Sequence, residues 1–381
     1  QWPTRAAAGT PTSEWVTSAP VALSKAKDPV PHSTGCLCYW DGILFFSLRE
    51  GRLRLLLIQH LLFVHRQADS NKAYMLMVEI PAPAPNASSE QAARPRLMPR
   101  LPQIRFEGRV RETLRPLIQA AGLEVDTAPG RILCHARRHD PRRKAQRARR
   151  NLKIIALEGS AADRPPPRLL LAAGEAMSDL GDQETARRSF LKAIEVSQSG
   201  STEMLEAYYG LLTTYEGDPD HKADQLATCV KALEVFPLDA QLLCALGNYL
   251  QVRNRIDLAT RAFDTAVKYG QIDLETWHLT EITEIADVCL ALTLQLQKKE
   301  DESRRVLEEA VGRYGRSVRL RRHLVDLHVK HARLDEALGV ADGLPLAAEG
   351  REPLRNAIRG ACKAVQKDWG AALGYLQSAY V

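Results

Sequence analysis

The chain after Pro167 carries a helical pattern of apolar residues. Apolar positions recur there at spacings of three and four residues in one segment after another, which is typical of amphipathic helices. Of the 21 prolines, 17 lie at or before Pro167 and four lie after it. Because proline removes a hydrogen-bond donor and clashes with the preceding turn, this distribution predicts an almost wholly helical chain beyond Pro167. The triplet Pro165–Pro167 predicts a hinge or a helix start.

Within this helical region, small and bulky residues return at fixed spacings. A small residue is followed by a second small one 12 positions later, a bulky one 16 later and an alanine 19 later. Clear copies start at Gly174, Gly247, Ala291 and Gly360, and weaker copies lie around Gly210 and Val325. The spacing resembles the tetratricopeptide repeat (TPR), whose period is about 34 residues. It predicts about six repeats over residues 168–381.

Each repeat of this kind is expected to form two antiparallel helices, A and B. The small residues let the two helices approach closely, and the bulky residue fills the gap between them. One hairpin cannot bury its own apolar face, so hairpins must stack. Stacked A helices form a surface that suits an extended peptide or another protein. The candidate groove residues are Tyr208, Tyr209, Asn248 and Arg253, and the alternative for each is a packing or solvent position.

The chain before Pro167 divides into three segments. Residues 1–72 are expected to be irregular or disordered, above all the first 35, although the apolar runs Gly42–Leu48 and Leu53–Val64 fit strands or short helices. Residues 73–140 predict a small α/β segment. Its predicted elements are strands Ala73–Ile80, Ile104–Val110, Leu123–Val125 and Ile132–Cys134, and helix Glu112–Ala121. Residues 141–167 predict a basic linker helix and the proline hinge.

Positive charge is concentrated in one stretch. The chain has 52 Lys and Arg against 46 Asp and Glu, a formal net charge of +6. From Arg131 to Lys153 there are ten basic residues and one acid, Asp140. This stretch could attract nucleic acid, but it has no interleaved aromatic residues for base stacking, which argues against single-strand binding. A solvated linker helix is favoured, with a sugar diphosphate or an anionic lipid head group as alternatives.

Targeting segments and cysteine content indicate the cellular compartment of a protein. No apolar run approaches the roughly 18 residues that span a bilayer, and the N-terminus lacks the pattern of a signal peptide. The seven cysteines are an odd number and are scattered, so reduced thiols in the cytoplasm are expected. The sequence begins with Gln1 and not Met, which suggests a fragment of a longer protein.

A second resemblance covers roughly residues 73–381. The segment Arg96–Ile155 resembles the end of a family 2 glycosyltransferase catalytic domain joined to TPR repeats. The matching positions are Arg96–Leu97, Ile104–Val110, Glu112, His135, Lys144 and Arg150–Leu152. Two positions depart from the family pattern: Arg111 replaces a histidine, and Arg137–Arg138 replace a Gly-Tyr pair.

This resemblance implies a fold and a function. The fold is mainly α: a TPR-like solenoid preceded by a small α/β remnant of a glycosyltransferase A-type domain and a disordered N-terminus. The implied function is sugar transfer from a nucleotide-sugar donor, with Glu112 and His135 as catalytic candidates and Arg109 as a phosphate contact. Residues 1–72 lack the family's nucleotide-binding half, so a divalent metal and a nucleotide sugar are expected only if that half is present. The alternative is a non-enzymatic TPR scaffold for protein–protein interaction.

Three further motifs have some features of a metal site, but none fits one. His135 and His139 have the spacing of a metal pair, but the neighbouring arginines would repel a cation. Cys36 and Cys38 lack a second pair at zinc-finger spacing. The segment Asp218–Asp220 predicts a turn. No metal site is therefore expected in this chain.

Overall fold

The computed structural model describes residues 36–40, 43–47, 69, 71–82, 87–99, 101, 104–134, 140–159, 165–315, 317–344 and 352–380. The chain divides into two compact units. Unit 1 comprises Gln1–Pro237 and Asp273–Thr280, and unit 2 comprises Leu238–Ile272 and Glu281–Val381. The predicted disorder of the first 35 residues and the apolar run Leu53–Val64 fall outside the described residues.

Among the described residues, unit 1 contains a six-stranded sheet. Its strands are β1 (Cys36–Trp40), β2 (Ile43–Ser47), β3 (Lys72–Ile80), β4 (Glu90–Pro99), β5 (Glu124–Leu133) and β6 (His278–Leu279). The strand order is β1-β2-β4-β3-β5, and β6 pairs with β4. Only the β3–β5 pair is parallel within this described sheet.

Successive side chains of a strand point to opposite faces of the sheet, and β3 buries side chains on both faces. On one face, Tyr74, Leu76 and Val78 form a core with residues of β4, β5 and Trp277. On the other face, Ala73 packs with Met98 and with two residues around helix α1 (Arg115–Ala120), Leu114 and Ile118. The predicted strand Ala73–Ile80 is thus confirmed, one residue longer at its start.

The other predictions for the α/β segment were less accurate. Strand β4 was not predicted because it contains prolines; Pro95 lies at a register shift in the pairing with β3, where a missing N–H is tolerated. The two predicted strands Leu123–Val125 and Ile132–Cys134 are a single strand, β5. The predicted strand Ile104–Val110 is wrong: this segment is an irregular loop with one bridge between Glu107 and Thr113.

Helices follow the sheet as the apolar pattern predicts. The basic helix α2 spans Pro141–Gly159. Two hairpins then lie in unit 1 and four in unit 2, counted over the described residues. They are α3 (Pro167–Asp179) with α4 (Gln183–Val196), α5 (Thr202–Thr214) with α6 (Lys222–Val235), α7 (Ala240–Val252) with α8 (Ile256–Tyr269), α9 (Ile282–Leu296) with α10 (Glu300–Arg313), α11 (Val318–Lys330) with α12 (Leu334–Asp342), and α13 (Pro353–Val365) with α14 (Trp369–Tyr380).

The predicted small-to-bulky contacts hold the hairpins together. A β-carbon added to Gly247 of α7 would lie 2.5 Å from the Phe263 ring of α8. The same addition at Gly174 would lie 2.7 Å from Phe190, and at Gly360 it would lie 2.7 Å from Leu376. Helices A and B therefore touch where the sequence places a glycine opposite a bulky residue, which confirms a TPR-like hairpin in both units.

This packing makes a testable prediction for glycine substitutions. Gly247→Ala is expected to lower the free energy of unfolding by about 1–3 kcal/mol, because the new methyl group overlaps a fully buried ring. Gly312→Ala, inside α10, is the control: its β-carbon would meet nothing within 4 Å. That change is expected to add up to about 1 kcal/mol, since alanine favours helix. Urea unfolding followed by circular dichroism measures both, and destabilisation of similar size in the two variants would contradict the close packing.

The segment Asp273–Thr280 follows α8 in the chain but belongs to unit 1. The sequence predicts extra residues around Thr276–Glu284 that lengthen a helix or a loop. The structure shows a loop that ends in strand β6, which pairs with β4 at Glu90 and Gln91. Trp277 of this loop is almost fully buried in the sheet core.

Candidate protein-binding surface

The A helices of unit 2 present solvent-facing residues at matching positions. In α7, α9, α11 and α13 the interface positions are Gly247, Ala291, Val325 and Gly360. The next residue is exposed in α9, α11 and α13 and half-buried in α7, and the residue four positions further on is exposed in all four helices. We call these residues the A-helix row: Asn248, Val252, Leu292, Leu296, Asp326, Lys330, Ala361 and Val365.

Large aliphatic side chains of the row are exposed. The exposed fraction is 72% for Val252, 38% for Leu292, 58% for Leu296 and 46% for Val365. Single exposed apolar residues are ordinary on protein surfaces. Here they recur at equivalent positions of three A helices, so the repeat itself aligns them. Such an aligned set offers apolar contact to a partner that spans several hairpins.

The polar members of the row add hydrogen-bonding and charged groups. The side-chain Nδ2 of Asn248 is shielded from solvent and has no hydrogen-bond partner among the described residues. An unsatisfied amide donor of this kind is costly until an acceptor reaches it. Lys330 forms an ion pair with Glu300 at 3.3 Å, and Asp326 is exposed. Arg253 donates to the Tyr249 carbonyl oxygen at 3.0 Å, so it caps the end of its own helix, α7.

The four predicted groove residues divide between the two units. Asn248 and Arg253 lie in unit 2, and Tyr208 and Tyr209 lie on α5 in unit 1. Both tyrosine side chains are buried. Desolvation by burial raises the pKa of Tyr208. In the described structure, Asn248 is the one predicted groove residue that belongs to the A-helix row.

In unit 1, arginines of the α/β segment contact the equivalent A-helix face. Glu175 follows Gly174 in α3 and therefore holds the position that Asn248 holds in α7. Its carboxylate lies 3.5 Å from Nη2 of Arg111, which also pairs with Glu206 of α5. Arg94 of β4 lies 3.5 Å from the second carboxylate oxygen of Glu206. The α/β segment thus inserts two arginines between acidic residues of the first two A helices.

The environment of this cluster is nearly dry. The side chains of Arg111 and Glu206 are each almost nine-tenths buried. Burial lowers the pKa of Arg111, but the carboxylates of Glu175 and Glu206 more than offset it, so the net shift is upward. Arg111 also takes a positive φ of 52°, which is uncommon for a residue with a side chain. Sequence reasoning noted Arg111 only as a departure from the glycosyltransferase pattern and did not single out Glu175 or Glu206.

Of the candidates for sugar transfer, the structure describes Glu112 and Arg109. The Glu112 side chain is exposed in the loop before α1; partial desolvation raises its pKa, while Arg150 and Arg96 act in the opposite direction. Arg109 is exposed, and its backbone N–H donates to Glu158 at 3.0 Å. His135 and His139 lie outside the described residues.

Nothing in the described part of the chain groups three or more His, Cys, Asp or Glu side chains as a metal site would require. Asp218 starts a 3-10 turn over Pro219–His221, as predicted, and its side chain accepts from the Asp220 N–H at 3.1 Å. It also binds Arg187 at 2.7 Å. Within the described ranges, none of the helices has the length and apolar content of a membrane span.

Comparison with known proteins finds structural similarity alone. No protein-family model and no curated protein match the chain. Among solved structures, the chain is similar to PilF of Pseudomonas aeruginosa, with 19% identity, a TM-score of 0.40, and coverage of 55% of this chain and 88% of that one. It is also similar to a tetratricopeptide repeat protein of Parabacteroides merdae (16% identity, TM-score 0.40, 63% and 86% covered). A third is YrrB, a TPR protein with an unusual peptide-binding site (19% identity, TM-score 0.37, 51% and 91% covered).

At this level of similarity, the repeat assignment rests on the helix pairs and on the glycine contacts described above. The glycosyltransferase resemblance gains no support from these comparisons.

Proposed function

We propose that this chain is a TPR-like scaffold that binds an extended segment of a partner protein along the A-helix row of unit 2. The observation that carries the proposal is the alignment of Val252, Leu292, Leu296 and Val365 on the open side of three A helices. The partner segment would bury apolar side chains against this row.

Peptides selected on the wild-type chain from a random display library test this proposal. The double variant Leu292→Asp with Leu296→Asp is expected to weaken binding on the order of 50-fold, because two leucine contacts are lost and charge is introduced. The matched control carries Leu258→Asp and Tyr269→Asp, two exposed apolar positions on the B helix α8 of the same unit. Fluorescence anisotropy should show the control within about twofold of wild type. Equal losses in both variants, or no loss in the first, would contradict the proposal.

Sugar transfer is the second candidate function, implied by the resemblance of Arg96–Ile155 to a family 2 glycosyltransferase. The observation in its favour is the exposed carboxyl of Glu112, whose raised pKa would suit a general base. The scaffold proposal predicts no transfer from nucleotide-sugar donors with Mn²⁺. Turnover that is lost in Glu112→Gln would instead support the transferase.

We also propose a reducing, cytoplasmic compartment. No disulfide links any of the five cysteines whose side chains the structure describes, Cys134, Cys229, Cys244, Cys289 and Cys362. Burial raises the pKa of Cys244 well above its usual value and that of Cys289 to about 11, so both thiols stay protonated and unreactive at neutral pH. These properties fit structural thiols that never need to pair.

A further inference from the structure

Helix α2 presents a stripe of cations to solvent. Arg142, Arg149 and Lys153 are exposed and lie on one side of the helix, at spacings of seven and four residues. The described residues provide no ion pair for any of the three side chains. Because each residue advances the helix by about 1.5 Å, the stripe is about 16 Å long.

The acidic groups around the helix pair with cations outside the stripe or with the backbone. Asp140 lies 3.8 Å from Arg143 at the start of the helix, and its carboxylate accepts the Arg142 backbone N–H at 2.9 Å. Glu158, near its end, pairs with Arg168 and accepts the Arg109 backbone N–H. Lys144 forms its own pair with Asp179 at 3.0 Å on the packed side. The positive potential of the stripe is therefore not cancelled by these carboxylates.

An exposed apolar residue lies at the C-terminal end of the stripe. Leu157 follows Lys153 by four residues, on the same side of the helix, and is 66% exposed. The exposed residues of α2 include no aromatic side chain that could stack on a base. A nucleic-acid backbone gains little from an exposed leucine, whereas the interface of a bilayer takes up cations and a neighbouring apolar side chain together.

We propose that this stripe, Arg142, Arg149, Lys153 and Leu157, binds the surface of a membrane that contains anionic phospholipids. The cations approach the lipid phosphates and carboxylates, and Leu157 enters the boundary between head groups and acyl chains. The attachment is peripheral and reversible, since a few cations and one leucine are far weaker than a spanning helix. This surface is independent of the A-helix row of unit 2 and of the function proposed for that row.

Vesicle sedimentation tests the proposal with the whole chain. Vesicles of phosphatidylcholine and phosphatidylserine, in roughly a two-to-one ratio, are expected to bind it at low salt, and pure phosphatidylcholine vesicles are not. Arg149→Gln with Lys153→Gln should weaken binding about 25-fold, at about fivefold for each cation. Leu157→Ser should weaken it severalfold further. All three positions are exposed, so the far-UV spectrum should be unchanged.

The matched control removes the same two charges elsewhere in unit 1. Arg188→Gln with Lys192→Gln changes exposed residues of α4, where each cation already has an acidic partner, Glu184 or Glu195. Vesicle affinity is expected to stay within about twofold of wild type. Equal losses in the two variants would show a general charge effect and overturn the proposal. So would a DNA duplex bound more tightly than the vesicles at the same salt concentration, or binding that ignores Leu157.

Discussion

Replacing Trp277 by alanine is expected to lower the free energy of unfolding by about 3–5 kcal/mol. The indole is only 3% exposed and packs in the sheet core with Tyr74, Leu76 and Val78. The Arg94 guanidinium lies over the Trp277 ring, 5.3 Å from the ring centroid. Because Trp277 reaches the sheet from the loop after α8, its removal should also loosen strand β6. Urea unfolding followed by far-UV circular dichroism measures the change.

A second tryptophan supplies the control for this prediction. Trp369 of α14 is 67% exposed. Its replacement by alanine is expected to change the free energy of unfolding by about 0.5 kcal/mol or less. Similar losses in the two variants would mean that Trp277 is not part of the sheet core.

Replacing Glu206 by glutamine is expected to cost about 3–5 kcal/mol, because it leaves Arg94 and Arg111 close together in a dry site with too little negative charge. Burial lowers the pKa of Arg94, and the Glu206 carboxylate acts in the opposite direction. The double variant Glu206→Gln with Arg111→Met should cost less than the sum of the two single changes. A double-mutant cycle in urea is expected to give a coupling of about 1–3 kcal/mol.

An exposed ion pair on the neighbouring hairpin is the control for this cycle. Lys192 and Glu195 of α4 lie 2.9 Å apart, and more than half of each side chain is exposed. Glu195→Gln is expected to change the free energy of unfolding by less than about 1 kcal/mol. A coupling near zero between Glu206 and Arg111 would show that the α/β segment does not hold the first two A helices through this cluster.

The hairpins could be predicted from sequence because their contacts are local. Gly247 meets Phe263 only 16 residues away, and the same spacing joins Gly174 to Phe190. A glycine 16 positions before an aromatic residue indicates that two helices approach closely there. Because this spacing recurs in several copies, the repeat region can be recognised from sequence alone.

The sheet could not be predicted in the same way. Gln91 of β4 lies 3.1 Å from His278 of β6, although 187 positions separate them in sequence. Strand β4 also contains Pro95, and proline usually argues against a strand. No local pattern indicates that a loop between two repeats returns to the N-terminal sheet.

The candidate surface and the predicted groove residues share Asn248, which lies in the A-helix row. Tyr208 and Tyr209 were named with packing positions as the alternative, and both are buried. Val252 and Leu296 could not be singled out, because an apolar residue on a helix is usually buried and the sequence does not distinguish the few that are exposed.

Backbone hydrogen exchange with and without a selected peptide tests the central claim most directly. If the peptide lies along the A-helix row, exchange should slow in the A helices of unit 2, above all α7 and α9. The B helices α8 and α10 should exchange at unchanged rates. Protection confined to the B helices, or to unit 1, would contradict the account.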